Sequence, residues 1–199
     1  MPSPKPAPFE MLAFDLETTG VDPGQALVTC AAVSDPEAGL ERIFFFARLD
    51  NGELVPMLDA AEEFMQMLDA ADRLCAFNGA SFDLPFIQHG LGAAPERVLR
   101  WRLKLHDVYE ACRLALDVTF PLRALLELNG LPGKTGSGAD AIQLARDGDW
   151  PRLGGYCLND TRVTHQVSSL GRVLLPNTRN LAMDTHGNFH AVDSGVIPA

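Results

Sequence analysis

The chain has 199 residues, enough for one domain with a sizeable core. Hydrophobic residues make up 47% and charged residues 21%, which excludes wholesale disorder, and no apolar run approaches the roughly 20 residues of a membrane span. Lysine and arginine number 16 against 26 acids, a formal net charge of -10, which counts against a phosphate-seeking surface unless the acids themselves gather cations.

Residues 1–8 form a proline-rich arm without the apolar centre of a signal peptide, so nothing in it points to export. Glu10 to Leu16 reads as a buried strand entering a turn at Thr18-Thr19-Gly20. Ala26–Val33 and Arg42–Leu49 read as two more strands, separated by Asp-Pro turns, which suggests an antiparallel meander. In 56–70 the period changes. Met57, Ala61, Phe64 and Leu68 recur at helical spacing, with Asp59, Glu62 and Glu63 near the start, where the helix dipole favours acids. Arg73–Phe77 is then a fourth strand, parallel to the first because a helix precedes it. Asn78-Gly79 ends it, and a short helix is expected over 82–89. Trp101, Leu103 and Leu105 alternate with Arg100, Arg102 and Lys104, which predicts an extended segment with a basic edge and makes 97–105 the source of a further strand. Helices are expected over 107–116, 121–129, 138–147 and 150–174, then a polar tail from Pro176 that forms a hairpin around His186-Gly187-Asn188. The pattern is an α/β chain with a mixed sheet flanked by helices. Its organisation is an arm over 1–8, a domain over 9–175 and a tail over 176–199.

Cys30, Cys75, Cys112 and Cys157 lie singly among apolar neighbours. They read as small buried residues of a reducing intracellular compartment, cytoplasm or nucleoid or nucleus. The five histidines show no zinc spacing; Asp107, after His106, is a candidate helix cap.

Four acids stand out. Asp15 and Glu17 lie two apart on the first strand, so both carboxylates point to one face while Phe14 and Leu16 point to the other. Two carboxylates at a buried strand end repel each other and are costly to desolvate, and a divalent cation offsets both effects. Asp83 follows the fourth strand and opens at the same sheet edge; alone it fits a helix N-terminal acid equally well. Asp160 falls in the stripe Tyr156, Asp160, Val163, Val167, Leu170, Leu174 of the last helix, an apolar face where an unpaired carboxylate would cost several kcal/mol. Tyr156 lies one turn before it, either as a core aromatic or as a hydroxyl aimed at the same site.

Phe14-Asp15-Leu16-Glu17-Thr18-Thr19-Gly20 resembles the first motif of the DnaQ-like (DEDD) 3′–5′ exonuclease superfamily. Asn78 to Asp83 resembles its second motif, and Leu84-Pro85-Phe86-Ile87 is similar to the version in exonuclease domains of family B DNA polymerases and their stand-alone relatives. Tyr156-x-x-x-Asp160 matches the tyrosine (DEDDy) form of the third motif; the histidine form would place His where Gly155 stands. Three motifs in order over residues 9–175 are far more specific than any one. The resemblance implies a ribonuclease H-like fold, a five-stranded mixed sheet flanked by helices. It further implies that Asp15, Glu17, Asp83 and Asp160 hold two Mg²⁺ or Mn²⁺ ions, with Tyr156 orienting the attacking water. Leu16, Thr18, Thr19, Asn78 and Phe82 would touch the terminal nucleotide of a single-stranded 3′ end. The implied activity releases nucleoside 5′-monophosphates, with DNA favoured over RNA, alone or with a polymerase or repair partner in trans. An RNA-trimming enzyme and a non-catalytic binding module are the alternatives. Arg97, Arg100, Arg102 and Lys104 read either as a strip tracking the nucleic-acid backbone or as a solvated strand edge. Lys134, in a glycine-rich loop, reads as exposed or as a phosphate contact.

Overall fold

In a computed structural model, residues 9–133, 136, 138–178 and 180–192 are described. The proline-rich arm and Lys134 lie outside them. β1 (Phe9–Thr18) is the central strand of a five-stranded sheet of order β3-β2-β1-β6-β7. β2 (Val28–Asp35) and β3 (Leu40–Phe45) continue from it as an antiparallel meander. β3 stops at Phe45, and β4 (Ala47–Asp50) turns off to pair with β5 (Glu53–Pro56) in a separate hairpin. The strand expected over 42–49 is therefore two. The helix expected from residue 56 begins only at α1 (Ala61–Ala70), because Pro56 ends β5 and its neighbours are still extended. β6 (Ala71–Ala76) returns parallel to β1, as a helical crossover requires.

The segment after α2 (Asp83–Gly90) departs from the sequence reading. Residues 95–103 form a helix, α3 (Pro95–Leu103), and only β7 (Leu105–Asp107) joins the sheet, parallel to β6. Two signals outweighed the alternation. Pro95 sits at the first helical position, and Arg100 and Arg102 occupy the last turn, where the dipole favours cations. Trp101, fully buried, is the anchor.

The basic cluster is also reassigned. Arg97 pairs with Glu62 (2.8 Å) and Asp69 (2.7 Å) and lies over the Trp101 ring, whose Nε1 donates to Asp69. Arg102 donates to Ala80 O and Glu110, and Lys104 donates to the carbonyls of Asp69 and Ala71. Three of the four cations thus tie α3 to its neighbours, so the expected strip along a nucleic-acid backbone reduces to Arg100.

The sheet has a different apolar layer on each face. Leu12, Phe14 and Leu16 of β1 pack with Phe64 and Leu68 of α1, Phe86 and Ile87 of α2 and Trp101 of α3. On the opposite face Cys30 and Ala32 of β2 meet Leu153, Tyr156 and Cys157 of α7 (Trp150–Ser168), with Ala141 and Ala145 of α6 (Gly138–Asp147) behind. Gly154 lets α7 lie close to the sheet: a Cβ there would sit 3.0 Å from Phe45 and 3.1 Å from Ile43. α4 (Val108–Leu116) and α5 (Leu122–Leu128) pack with Val163 and Val167 toward the C-terminal end of α7.

The last helix ends at Ser168, six residues before the expected 174. Arg172–Leu174 is instead β8, the first strand of a small meander with β9 (Leu181–Asp184) and β10 (Phe189–Ala191). Val173, Leu175 and Met183 belong to the same apolar cluster as α4 and α5, so the segment around residue 175 is continuous with the fold. Asp184 holds the β9–β10 turn by accepting from His186 N and Asn188 N. Among the described residues no helix is long and apolar enough to cross a membrane.

Candidate active site

The pleat of β1 turns Asp15 and Glu17 away from the Leu12-Phe14-Leu16 layer and toward α7. Their register partners on β2 are Ala32 and Cys30, both small, which leaves room above the strand end. Carboxylate oxygens of Asp15 and Glu17 and the Cys157 sulfur all lie within 4.8 Å of one another. Glu17 is buried and Asp15 half-buried.

α7 brings Tyr156, Cys157 and Asp160 over this point. Asp160 is 2% exposed, and the Tyr156 hydroxyl hydrogen-bonds to its side chain one helical turn away. Burial chiefly, then the charges of Asp160, Glu17 and Asp15, push the Tyr156 phenol far above its ordinary value, so it stays protonated and donates. Cys157, fully buried, donates its thiol to the Asp15 carbonyl (3.4 Å) and lies 3.8 Å from the Asp15 carboxylate. Burial, Cys30 and the charges of Asp15 and Glu17 hold that thiol well above its usual pKa. Sequence reading placed Cys157 only as a buried residue; its sole signal was its position inside Tyr156-x-x-x-Asp160.

Asp83 arrives from the other side. β6 ends at Ala76, so the β1 edge beyond Ala13 lacks a strand partner there, and Asp83 Oδ1 accepts the Leu16 amide (2.9 Å). A carboxylate thus caps the backbone between Asp15 and Glu17. Asp83 is 3% exposed; burial, and secondarily the charge of Asp107, raise its pKa well above the carboxylate range despite the Leu16 bond.

The loop that delivers Asp83 is held by Asp107, the one functional neighbour that sequence reading treated as a helix cap alone. Asp107 does cap α4, accepting Glu110 N (3.1 Å). It also accepts Asn78 N (3.0 Å) and Ala80 N (3.1 Å), one carboxylate fixing both ends of the turn after β6. Asn78 sits at φ 64°, a left-handed conformation that asparagine tolerates better than most residues. Gly79 is obligatory in this packing, since a Cβ would lie 2.4 Å from Ala76 Cβ. No local sequence rule links Asp107 to Asn78, 29 positions away.

The expected nucleotide contacts divide. The Leu16 side chain is buried in the apolar layer, and its amide donates to Asp83 at the site. The period-two alternation that aims Asp15 and Glu17 outward necessarily aims Leu16 inward. The Thr18 hydroxyl donates to Gly20 O and the Thr19 hydroxyl accepts Leu27 N, so both shape the turn. Asn78 and Phe82 are half-buried, and the Phe82 ring lies against Phe86. A cavity of about 780 Å³ opens beside Tyr156, bounded by Gly136, Asp140, Leu144, Arg152 and Gly155.

The donor set fits a hard divalent cation. Buried carboxylates that repel one another are stabilised by a cation, whereas the raised thiol of Cys157 stays a hydrogen-bond donor. A ribonuclease H-like sheet with acids gathered at the end of its central strand defines a class, and the family comparison agrees. A model of the RNase H superfamily matches residues 12–124, and the chain belongs to that superfamily. Among solved structures, it is similar to Brucella melitensis NrnC with bound Mg²⁺, at 19% identity, 83% of this chain and 73% of that one, with a TM-score of 0.49. It is also similar to E. coli exonuclease I in complex with an oligonucleotide, at 15% identity and a TM-score of 0.44. That likeness covers 87% of this chain and 54% of the other, so the chain spans about half of exonuclease I. No curated protein matches the chain.

Proposed function

We propose that the chain is a metal-dependent 3′–5′ exonuclease that hydrolyses single-stranded nucleic acid from its 3′ end and releases nucleoside 5′-monophosphates. The observation that carries this reading is the meeting of three sequence-distant segments at one end of β1. Asp15 and Glu17 project from the strand, Tyr156 and Asp160 lie over them on α7, and Asp83 caps the Leu16 amide. The four acids and the tyrosine are those of the DEDDy motifs, in the same order.

Asp15, Glu17, Asp83 and Asp160 would hold two Mg²⁺ or Mn²⁺ ions. Divalent cations bound there would neutralise the phosphate oxygens, stabilise the leaving oxygen and favour an ionised attacking water. The protein supplies the rest. Tyr156, whose one hydroxyl proton goes to Asp160, would orient the attacking water through its phenol oxygen and would not be the base that deprotonates it. Asp107 holds the Asn78–Ala80 turn and with it the position of Asp83. Cys157 donates to the Asp15 carbonyl and helps fix the strand at the site. Thr18 and Thr19 hold the turn over which the terminal nucleotide would lie, and Asn78 and Phe82, both half-buried, would touch it.

DNA is the favoured substrate, on the similarity of Leu84-Pro85-Phe86-Ile87 to polymerase exonuclease domains. The activity would operate alone or beside a polymerase or repair partner inside the cell. The test incubates 5′-labelled single-stranded DNA and RNA 12-mers with the protein and Mg²⁺, Mn²⁺ or EDTA. A metal-dependent ladder shortening from the 3′ end, with DNA cut faster, supports the proposal. Substrate that stays full-length under every condition refutes it.

A further inference from the structure

Gly136 lies between α5 and α6 and bounds the cavity beside Tyr156. A Cβ built on it would sit 3.2 Å from Tyr156 Cε2, 3.4 Å from Tyr156 Cδ2 and 3.3 Å from Asp140 Oδ2. Carbon atoms reach their best separation only at about 3.5–4.0 Å, so a side chain at this position would press on the ring. The backbone gives no reason for a glycine here. The φ of Gly136 is not positive, whereas Gly130 at 66° and Gly148 at 70° occupy the left-handed region. Gly133, three positions earlier in the same segment, would place a Cβ with nothing within 4 Å.

The contact falls where it bears on the hydroxyl. Cε2 is bonded to Cζ, the ring atom that carries the phenol oxygen, so a push on that edge moves the oxygen by nearly the same amount. The ring has little room to yield in any other way. Tyr156 is 7% exposed, packs with Cys30, Ala32, Leu153 and Cys157, and has its hydroxyl bonded to Asp160. Close-packed surroundings of this kind transmit a small displacement instead of absorbing it.

We infer that Gly136 is a positioning residue, whose missing side chain sets the Tyr156 ring and with it the phenol oxygen that orients the attacking water. The inference rests on the exonuclease reading and deepens it. A side chain at 136 displaces the ring across the face of α7, while the strand end that carries Asp15 and Glu17 is untouched. The loss therefore falls on turnover and not on substrate binding.

The test compares Gly136→Ala with Gly133→Ala, which makes the same chemical change without the contact. First-cut kcat on 12-mer DNA in Mg²⁺ should fall on the order of 10-fold in Gly136→Ala, less than the loss of the hydroxyl itself, with KM nearly constant. Gly133→Ala should keep the wild-type kcat. In a Tyr156→Phe background Gly136→Ala should cost less than about 2-fold, because no hydroxyl is left to misplace, whereas a general structural defect would cost the same in both backgrounds. A second readout needs no catalysis. The chain has two tyrosines, Tyr109 and Tyr156, so with ring-¹³C-labelled tyrosine the Tyr156 NMR signal is the one lost in Tyr156→Phe. Gly136→Ala should shift that signal and Gly133→Ala should not. An unshifted signal, or a kcat within about 2-fold of wild type, overturns the inference, since the Gly136 backbone has then yielded and the ring has not. Equal losses in the two backgrounds overturn it as well, and each of these results leaves the exonuclease reading standing. Absence of cleavage by the wild type overturns the exonuclease reading and the turnover role with it, while the Tyr156 signal still decides whether Gly136 sets the ring.

Discussion

Replacing Asp107 by alanine removes the acceptor of three backbone amides without touching any of the proposed metal ligands. The loss has two parts. The cap of α4 is worth about 1 kcal/mol, the usual cost of an N-cap acid mutated to alanine. The amides of Asn78 and Ala80 lose their partner as well; Ala80 is 2% exposed, so its N–H cannot recover a water easily, and an orphaned buried donor costs about 1–3 kcal/mol. Burial raises the Asp107 pKa, which means that the carboxylate is itself partly desolvated at a cost, and deleting it returns some of the loss. A net destabilisation of about 2–3 kcal/mol follows, small against the roughly 5–15 kcal/mol of a typical domain, so the variant should fold. Its activity should fall much further than its stability. With Asn78–Ala80 released, Asp83 no longer has a fixed approach to Leu16, and a misplacement of about 1 Å at a reacting centre is worth on the order of 100-fold. Urea denaturation gives the first quantity, and first-cut kcat at a temperature well below the melt gives the second. Asp107→Asn should be intermediate, because its amide can still accept at one oxygen but presents N–H groups where the carboxylate had its other acceptor. A variant with wild-type kcat and a stability change under about 0.5 kcal/mol would falsify the claim that Asp107 holds the loop.

Tyr156→Phe should leave the fold and the acids in place and lower kcat by on the order of 10²–10⁴-fold with KM nearly constant, as read by single-turnover cleavage; an unchanged rate returns Tyr156 to the status of a core aromatic. Arg97→Ala should destabilise by about 1–2 kcal/mol, discounted because Glu62 and Asp69 are solvent-exposed, whereas Arg100→Ala should not; nucleic-acid affinity that falls with Arg97 at constant stability would restore the strip along the backbone. In EDTA, the stability of the wild type should decline as pH rises from the ordinary carboxylate value toward about 7. Over that window the folded protein keeps the Asp83 proton that the unfolded chain has released. Asp83→Asn should flatten that decline in denaturation at pH 5–8, and a slope unchanged by the mutation would place the titrating group elsewhere.

The order of strands and helices around β1 was legible because each rests on local physics. Period-two alternation in 10–16 sets Asp15 and Glu17 on one face, the helical spacing of Ala61, Phe64 and Leu68 marks the crossover, and a crossover forces β6 parallel to β1. The same locality explains the failures. In 100–105 the alternation of basic with apolar residues suggested a strand, yet the burial of Trp101 and its ties to Asp69 and Arg97, 32 and 4 positions away, favoured a helix as far as Leu103. The stripe through Leu170 and Leu174 continued the helical count, but Gly171 stands between the end of α7 and β8, and β8 finds its partner only in β9.

For the site, the sequence by itself singled out the acids that the fold brings toward one end of β1, because carboxylates costly to bury announce themselves on apolar faces. Only the tertiary structure decided how those groups are held. That Asp107 fastens the Asn78–Ala80 turn, that Asp83 takes the backbone amide left vacant where β6 ends, and that Cys157 supports Asp15 from α7 are contacts between residues 27 to 142 positions apart. Side-chain periodicity reports which face a residue occupies; it carries no information on which distant backbone group will meet it there. That meeting is fixed by strand register, by where each strand stops, and by the close approach of α7 that Gly154 permits.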